Sequence, residues 1–321
     1  MRRLLMVAAA GAVLCTAAGL ASVVVIAPVV DRLTAVQHVM SIPRSIPRGS
    51  PPAGTAPDTT SAPPPAPPTT TDPPPPADDP AVVAAQVQQA MQGVLPSADV
   101  GFEVFDRSTD TVLTSQNVTQ QFAAMSVVKL LIALNVLAGD NWALPDNATQ
   151  QQLHQMLADS DDGIADDLWD AGGGPALVTR MAGLLGLTGT QPPDDPGEWG
   201  DTLITAQDMV TVYRYITDQL PAPDRDLLVT ALSDAPKTAA DGFDQYFGIP
   251  DGLPHAIWAI KQGWGTSGSE AVMNSTGLVG PDMRYVVVML SSASANWYST
   301  VPAVVTAGAG ALADIIGAAT P

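Results

Sequence analysis

The stretch FAAMSVVKLLIALNVLAG, Phe122 to Gly139, reads as a helix with almost no face fit for water. It nevertheless holds Lys129, three residues after Ser126, in a chain of 321 residues with only three lysines. On a helix, positions i and i+3 share a face. If Ser126 opens the helix, its hydroxyl lies at the positive end of the dipole and can meet the Lys129 amine. Burial favours the neutral form of that amine. A neutral amine beside a hydroxyl is a general base beside a nucleophile, and the pair needs no histidine. The plainer reading is a lysine that extends from a core helix to water. Ser-x-x-Lys alone recurs by chance, so the surroundings must decide.

Upstream, AVVAAQVQQAMQGV (81–94) has helical spacing and stops near Pro96. DVGFEVFD (99–106) alternates as a strand, RSTD is a turn, and TVLTS predicts a second strand. Downstream, residues 148–158 and 164–186 read as helical and QPPDDPGEWG (191–200) as a loop. Thr205 with Asp208 resembles a capping pair before a helix running to about Leu220. From residue 256 the pattern changes. AIWAIKQG, AVMNSTGLV and RYVVVMLSS predict three consecutive strands, and VPAVVTAGAGALADIIGAA a closing helix. Strands at both ends with helices between predict an α+β fold. Its antiparallel sheet would be packed by helices, with the first and last strands brought together.

The chain before this domain differs in kind. Leu4 to Val30 contains no charged residue and follows Arg2 and Arg3. A bilayer-spanning helix needs about 20 apolar residues. The segment therefore predicts a membrane anchor within residues 1–40, with the remainder outside the cytoplasm. The rival is a cleaved signal peptide, whose apolar stretch is about 7–15 residues. Cys15 raises a lipid-attachment reading, disfavoured because Leu14 rather than a small residue precedes it. Residues 43–80 hold 15 of the 30 prolines. A linker over 41–80 cannot bury enough apolar surface to fold and is expected to be a disordered, extended stalk. The working domain, 81–321, carries 8 Lys/Arg and 27 Asp/Glu, so it repels phosphate backbones and nucleic acid is not an expected partner. It has no cysteine, which excludes disulfides, thiolate nucleophiles and Cys-based zinc sites. No metal or organic cofactor is expected. His154 and His255 are its only histidines.

In order along the chain, four segments resemble the penicillin-recognising serine enzymes, the class A β-lactamases and penicillin-binding proteins. Residues 99–137 are similar to their opening hairpin and nucleophile helix. MLADSDDGIADDLWDAGGGPALVTRMAGLLGL (156–187) is similar to their Ser-Asp-Asn segment, and DTLITAQDM (201–209) to their Thr-Pro turn. IWAIKQGWG (257–265) stands where their Lys-Thr-Gly strand belongs. The resemblance spans the whole domain and implies roles. Ser126 would be the acylated nucleophile and Lys129 its base. Ser160 would relay a proton to the leaving nitrogen. Lys261 would hold Ser160 and stabilise a substrate carboxylate. The backbone N–H groups of Ser126 and Trp264 would form the oxyanion hole. Gly263 would let substrate backbone lie against the strand edge. Lys237-Thr238-Ala239 copies Lys-Thr-Gly more closely in letters, but lies in no strand pattern and lacks the glycine.

Two of the implied substrate-binding positions depart from the family. Asp162 stands where the family has an amide donor, and an ionised carboxylate cannot donate. It could also hold Lys129 protonated. Gln262 replaces a threonine whose hydroxyl helps bind a carboxylate. The interval from Ser126 to Ser160 is short for the family and implies a reduced helical lobe. The 191–200 loop has no Glu-x-x-Leu-Asn. Glu198, Asp194 and Asp195 are expected to be solvated. The implied function is an acyl-enzyme-forming serine hydrolase for β-lactams or D-Ala-D-Ala peptides of the peptidoglycan stem, slow to deacylate. The alternative is an impaired member serving as a wall- or peptide-binding module. A plain anchored structural domain fits poorly with four intact motif residues.

Overall fold

The computed structural model describes residues 79–317; the expected anchor and residues 41–78 of the expected stalk lie outside them, while Asp79 and Pro80, placed in the stalk by the sequence, begin the first helix. Asp79 caps the first helix by accepting from the Ala81 N–H, and α1 (Pro80–Val94) buries Val83, Val87 and Met91. The hairpin of β1 (Asp99–Asp106) and β2 (Thr111–Gln116) follows, with a bulge between Val104 and Phe105.

The opening stretch differs from its reading as one helix. Phe122–Ala123 form a short strand, β3. Met125–Val128 make a 3₁₀ turn, and the α-helix α2 runs Lys129–Gly139. Next come α3 (Asn147–Ala158), α4 (Asp162–Ala171) and α5 (Pro175–Leu185). The single helix expected over 164–186 is therefore two helices. Gly173 (φ 87°) and Gly174 (φ 60°) take left-handed backbone that ends the helical run, and Pro175 restarts it. The short strand β4 (Leu203–Ile204) pairs with β3. The Thr205 hydroxyl then caps α6 (Ala206–Asp218) through the Asp208 N–H.

Two helices had no sequence reading, α7 (Ala222–Ser233) and the one-turn α8 (Ile249–Gly252). The buried positions of α7 are Asp224, Leu228, Ala231 and Leu232, too weak an apolar stripe to stand out. The chain closes with β5 (Trp258–Ser267), β6 (Glu270–Val279), β7 (Tyr285–Ser294), α9 (Val301–Gly310) and α10 (Ala313–Gly317). The sheet order is β2-β1-β7-β6-β5, antiparallel throughout, so the first and last strands do pair, Phe102 opposite Met289.

Both faces of this sheet are covered. Along β7, Val286, Val288 and Leu290 face the lobe built from α2 to α7, while Val287 and Met289 face α1 and α9. That explains why YVVVML shows no polar alternation. Among the described residues no helix is long and apolar enough to cross a membrane.

Candidate active site

The turn carrying Ser126 is held from two strands. On β6, Asn274 donates to the carbonyls of Ala123 (2.9 Å) and Ala124 (3.2 Å). On β5, a Cβ at Gly263 would fall 2.5 Å from the Ala124 oxygen. The close approach of the protein's own turn therefore already requires a glycine there. Met125, just before the nucleophile, has φ 47°, and Ser160 has φ 58°. Positive φ at two non-glycine residues is strain of the kind functional sites retain.

Ser126, Lys129, Ser160 and Lys261 come together. Four oxygens surround Lys129 Nζ: Ser126 Oγ at 2.8 Å, Ser160 O at 2.8 Å, Ser160 Oγ at 3.3 Å and Asp162 Oδ1 at 2.5 Å. Lys261 Nζ donates to Ser160 Oγ at 2.9 Å and to the Gln262 carbonyl at 3.2 Å. Both lysines are sealed, at 0% and 1% exposure, and Ser126 is 6% exposed. Burial pushes the Lys129 amine below its ordinary range, opposed by the Asp162 carboxylate. Burial, with Lys129 as a charged neighbour, pushes Lys261 further down.

Asp162 sits at the first position of α4 with its side chain 59% exposed, so one oxygen grips the lysine while water bathes the rest. Asp161 caps that helix through the Ile164 N–H. Gln262 is not in the cleft. Adjacent residues on a strand face opposite ways, and with Lys261 turned to Ser160 the Gln262 amide donates to the carbonyls of Gln245 (3.2 Å) and Phe247 (2.5 Å). Its expected role in binding substrate is therefore corrected to clamping the 245–247 segment. Lys237, the alternative motif lysine, is exposed and pairs with Asp244 at 2.6 Å.

A cleft of about 450 Å³ opens over Ser126. The 197–201 segment forms one side, with Asp162 and Asp166 of α4; Trp264, Gly265 and Thr266 of β5 form another, with Asp241 and Tyr298. Trp199 donates its indole N–H to Asp166 (2.7 Å), and Trp264 donates its own to Asp241 (2.9 Å). Trp264 also stacks on Phe243 at 5.0 Å. Met125 is wedged between the two sides. A Cβ on Gly265 would fall 2.6 Å from its sulfur, and one on Gly200 3.8 Å away. Glu198 is exposed but at the rim; Asp194 and Asp195 are exposed and do not line the cleft.

Sequence reading missed several supporting residues. Asn274, Ser275 and Thr276 are fully buried polar residues in one strand. Asn274 pins the nucleophile turn, Ser275 accepts from the Ile249 N–H, and Thr276 donates to the Lys261 carbonyl at 2.6 Å. Three consecutive polar residues inside AVMNSTGLV were the available signal. Gln245, which donates to the Ala158 carbonyl behind Ser160, gave none.

The fold is that of the penicillin-recognising serine hydrolases. Solved structures sharing it include a class A β-lactamase from Bacteroides cellulosilyticus (TM-score 0.56, 16% identity, 72% of this chain and 99% of that one). A β-lactamase from Streptosporangium roseum (0.57, 18%, 73% and 99%) is another. A mutant of PBP-A, solved as an acyl-enzyme complex with penicillin G, also shares it (0.56, 18%, 73% and 97%). No family model matches the chain. Proteins named "Putative lipoprotein LppW" in Mycobacterium tuberculosis and Mycobacterium bovis are 36% identical over 213 residues, 64% of this chain and 67% of theirs. The chain belongs to the LppW family.

Proposed function

We propose that the domain is a serine hydrolase that forms an acyl-enzyme at Ser126, acting on β-lactams or D-Ala-D-Ala-type peptides. One observation carries this: the buried hydrogen-bonded chain Ser126 Oγ–Lys129 Nζ–Ser160 Oγ–Lys261 Nζ beneath an open cleft. Ser126 Oγ attacks the acyl carbon and its proton passes to the neutral Lys129 amine. The proton moves on through Ser160 Oγ to the leaving nitrogen as the C–N bond breaks, leaving an ester on Ser126. Lys261 holds the Ser160 hydroxyl in line. The N–H groups of Ser126 and Trp264 receive the developing oxyanion. Hydrolysis of the ester is slow, since the 191–200 loop lacks the family's glutamate motif. The test is intact-mass spectrometry of the full-length chain incubated with benzylpenicillin methyl ester. A mass gain on the Ser126 peptide supports the reading; its absence refutes it.

A second reading, an impaired domain serving as a wall- or peptide-binding module, is favoured by the 2.5 Å contact between Asp162 and Lys129. It is distinguished by ligand binding without any adduct.

The anchor at residues 4–30, the stalk at 41–80 and an extracytoplasmic domain at 81–321 belong to the same proposal, with the peptidoglycan stem peptide as natural ligand and no nucleic-acid partner. The relatives' name supports membrane association, although Leu14 before Cys15 departs from a lipid-attachment pattern. Fractionation with mass analysis of the N-terminus separates a retained anchor, a cleaved signal and a lipidated cysteine.

A further inference from the structure

We propose that Trp199 is a positioning residue that keeps the acyl group on Ser126: its indole covers the Lys129 amine from the cleft, so the base that serves acylation cannot also activate a water for hydrolysis. The inference rests on the acyl-enzyme reading above and names what governs the second half-reaction at that site.

Hydrolysis of the ester needs a water held by a base. The water oxygen bonds to the acyl carbon, the bond from that carbon to Ser126 Oγ breaks, and one water proton passes through the base to Ser126 Oγ. Lys129 is the amine beside that oxygen, and its Nζ already has four oxygens around it: Ser126 Oγ, the carbonyl and hydroxyl of Ser160, and Asp162 Oδ1. A neutral amine offers two N–H groups and one lone pair. In acylation the lone pair takes the Ser126 proton. Once Ser126 is an ester it has no proton to give, and the lone pair is free for a water that can reach it. The Trp199 ring stands in the way, its centre 4.8 Å from Nζ. A water lodged between them would need roughly 6 Å, a hydrogen bond plus a van der Waals contact. The lysine is accordingly 0% exposed although the cleft opens directly above Ser126.

The ring is tied in place from three directions. Its own N–H donates to Asp166 of α4 at 2.7 Å. The buried Trp169, also on α4, donates its indole N–H to the Pro196 carbonyl at 2.9 Å, three residues before the ring. Three residues after it, the Thr202 carbonyl accepts from the Ala124 N–H at 2.7 Å, in the turn that carries the nucleophile. Trp199 itself is half-buried and packs against the core of the helical lobe. A tryptophan on an untied loop could swing aside to admit water; this one is fastened to the same two elements that hold Asp162 and Ser126.

The test separates loss of the adduct from its formation. The full-length chain and its Trp199→Ala, Trp199→Phe and Asp166→Ala variants are acylated with benzylpenicillin methyl ester and freed of excess donor, and decay of the Ser126 adduct is timed by intact mass. The Trp199→Ala adduct should decay at least tenfold faster than that of the unaltered chain. Trp199→Phe, which keeps a ring over the amine, should restore most of the persistence. Should the alanine variant fail to fold, Asp166→Ala, which frees the indole, carries the same expectation. The gained rate should rise with pH and then level, as titration of one amine requires; a climb without levelling marks attack by hydroxide and overturns the inference. An alanine adduct as durable as that of the unaltered chain, or a phenylalanine adduct as short-lived as the alanine one, also overturns it and leaves the acyl-enzyme standing. No adduct on the unaltered chain overturns the acyl-enzyme reading. The cover is then read without an acyl donor, by acetic anhydride labelling of Lys129 located by peptide mass. Labelling at least tenfold faster in Trp199→Ala supports the inference, and equal labelling overturns it.

Discussion

Lys129 Nζ and Asp162 Oδ1 stand 2.5 Å apart, the lysine sealed from solvent and the aspartate open to it. In the proposed mechanism Lys129 is the base, and this contact opposes the effect of burial on its amine. Burial favours the neutral amine that can accept the Ser126 proton, and the carboxylate favours the ammonium that cannot. Acylation should therefore rise with pH as Lys129 deprotonates. Asp162→Asn removes the negative charge, so the Lys129 pKa falls and the rising limb moves to lower pH. At neutral pH the variant should acylate roughly tenfold faster, the effect of about one pKa unit. Timed acylation by the methyl ester from pH 5 to 9 checks this; an unmoved limb would show that Asp162 does not tune the base.

Ser126→Ala should give no adduct, and Lys129→Ala nearly none. Nucleophile and base act as one unit, so the double variant should be no worse than the worse single one. Intact mass after overnight incubation reads all three proteins.

The adduct should persist. With no Glu-x-x-Leu-Asn in the loop between Gln191 and Gly200, product formation should show one stoichiometric burst and then a slow steady state. Stopped-flow kinetics with nitrocefin checks it; sustained rapid turnover would point to Glu198 or another base.

Gly263→Ala should push a methyl group against the Ala124 carbonyl and the Val127 side chain. The expected cost is about 1–3 kcal/mol of stability, the range for overpacking, together with lost acylation as the Ser126 turn shifts. Chemical denaturation and acylation rate are measured on the same sample.

Asp106 accepts two hydrogen bonds from Arg284 and two from Ser108, and the guanidinium holds its carboxyl well below the usual range. A depressed folded pKa contributes stability above the unfolded value of about 3.9, lost as pH falls below it. Asp106→Asn should cost about 2 kcal/mol at neutral pH and flatten the acid limb below about pH 4. Urea unfolding at pH 7, 4 and 2.5 measures both.

The sheet strands were legible because each holds its period or its apolar run for most of its length. The two motif lysines stood out because a lysine in an apolar helix and another in an apolar strand are costly to bury, and the family resemblance singled out Ser126 and Ser160 beside them. What escaped notice depends on distant partners. The 3₁₀ start before Lys129 follows from Asn274 and Gly263, both more than a hundred residues away. The direction of Gln262 depends on carbonyls at 245 and 247, and the rim pairs join Asp166 to Trp199 and Asp241 to Trp264. No local pattern encodes such pairings.

Met125 meets Gly200 on one side of the cleft and Gly265 on the other; a side chain at Gly265 would collide with its sulfur, while one at Gly200 would rest in ordinary contact with it. The thioether lies between the two sides, above the hydroxyls and amines through which the proposed proton path runs. Aperture and proposed chemistry thus involve different atoms. Oxidising Met125 to its sulfoxide, or shortening it, would change which molecules enter without altering how a proton leaves Ser126.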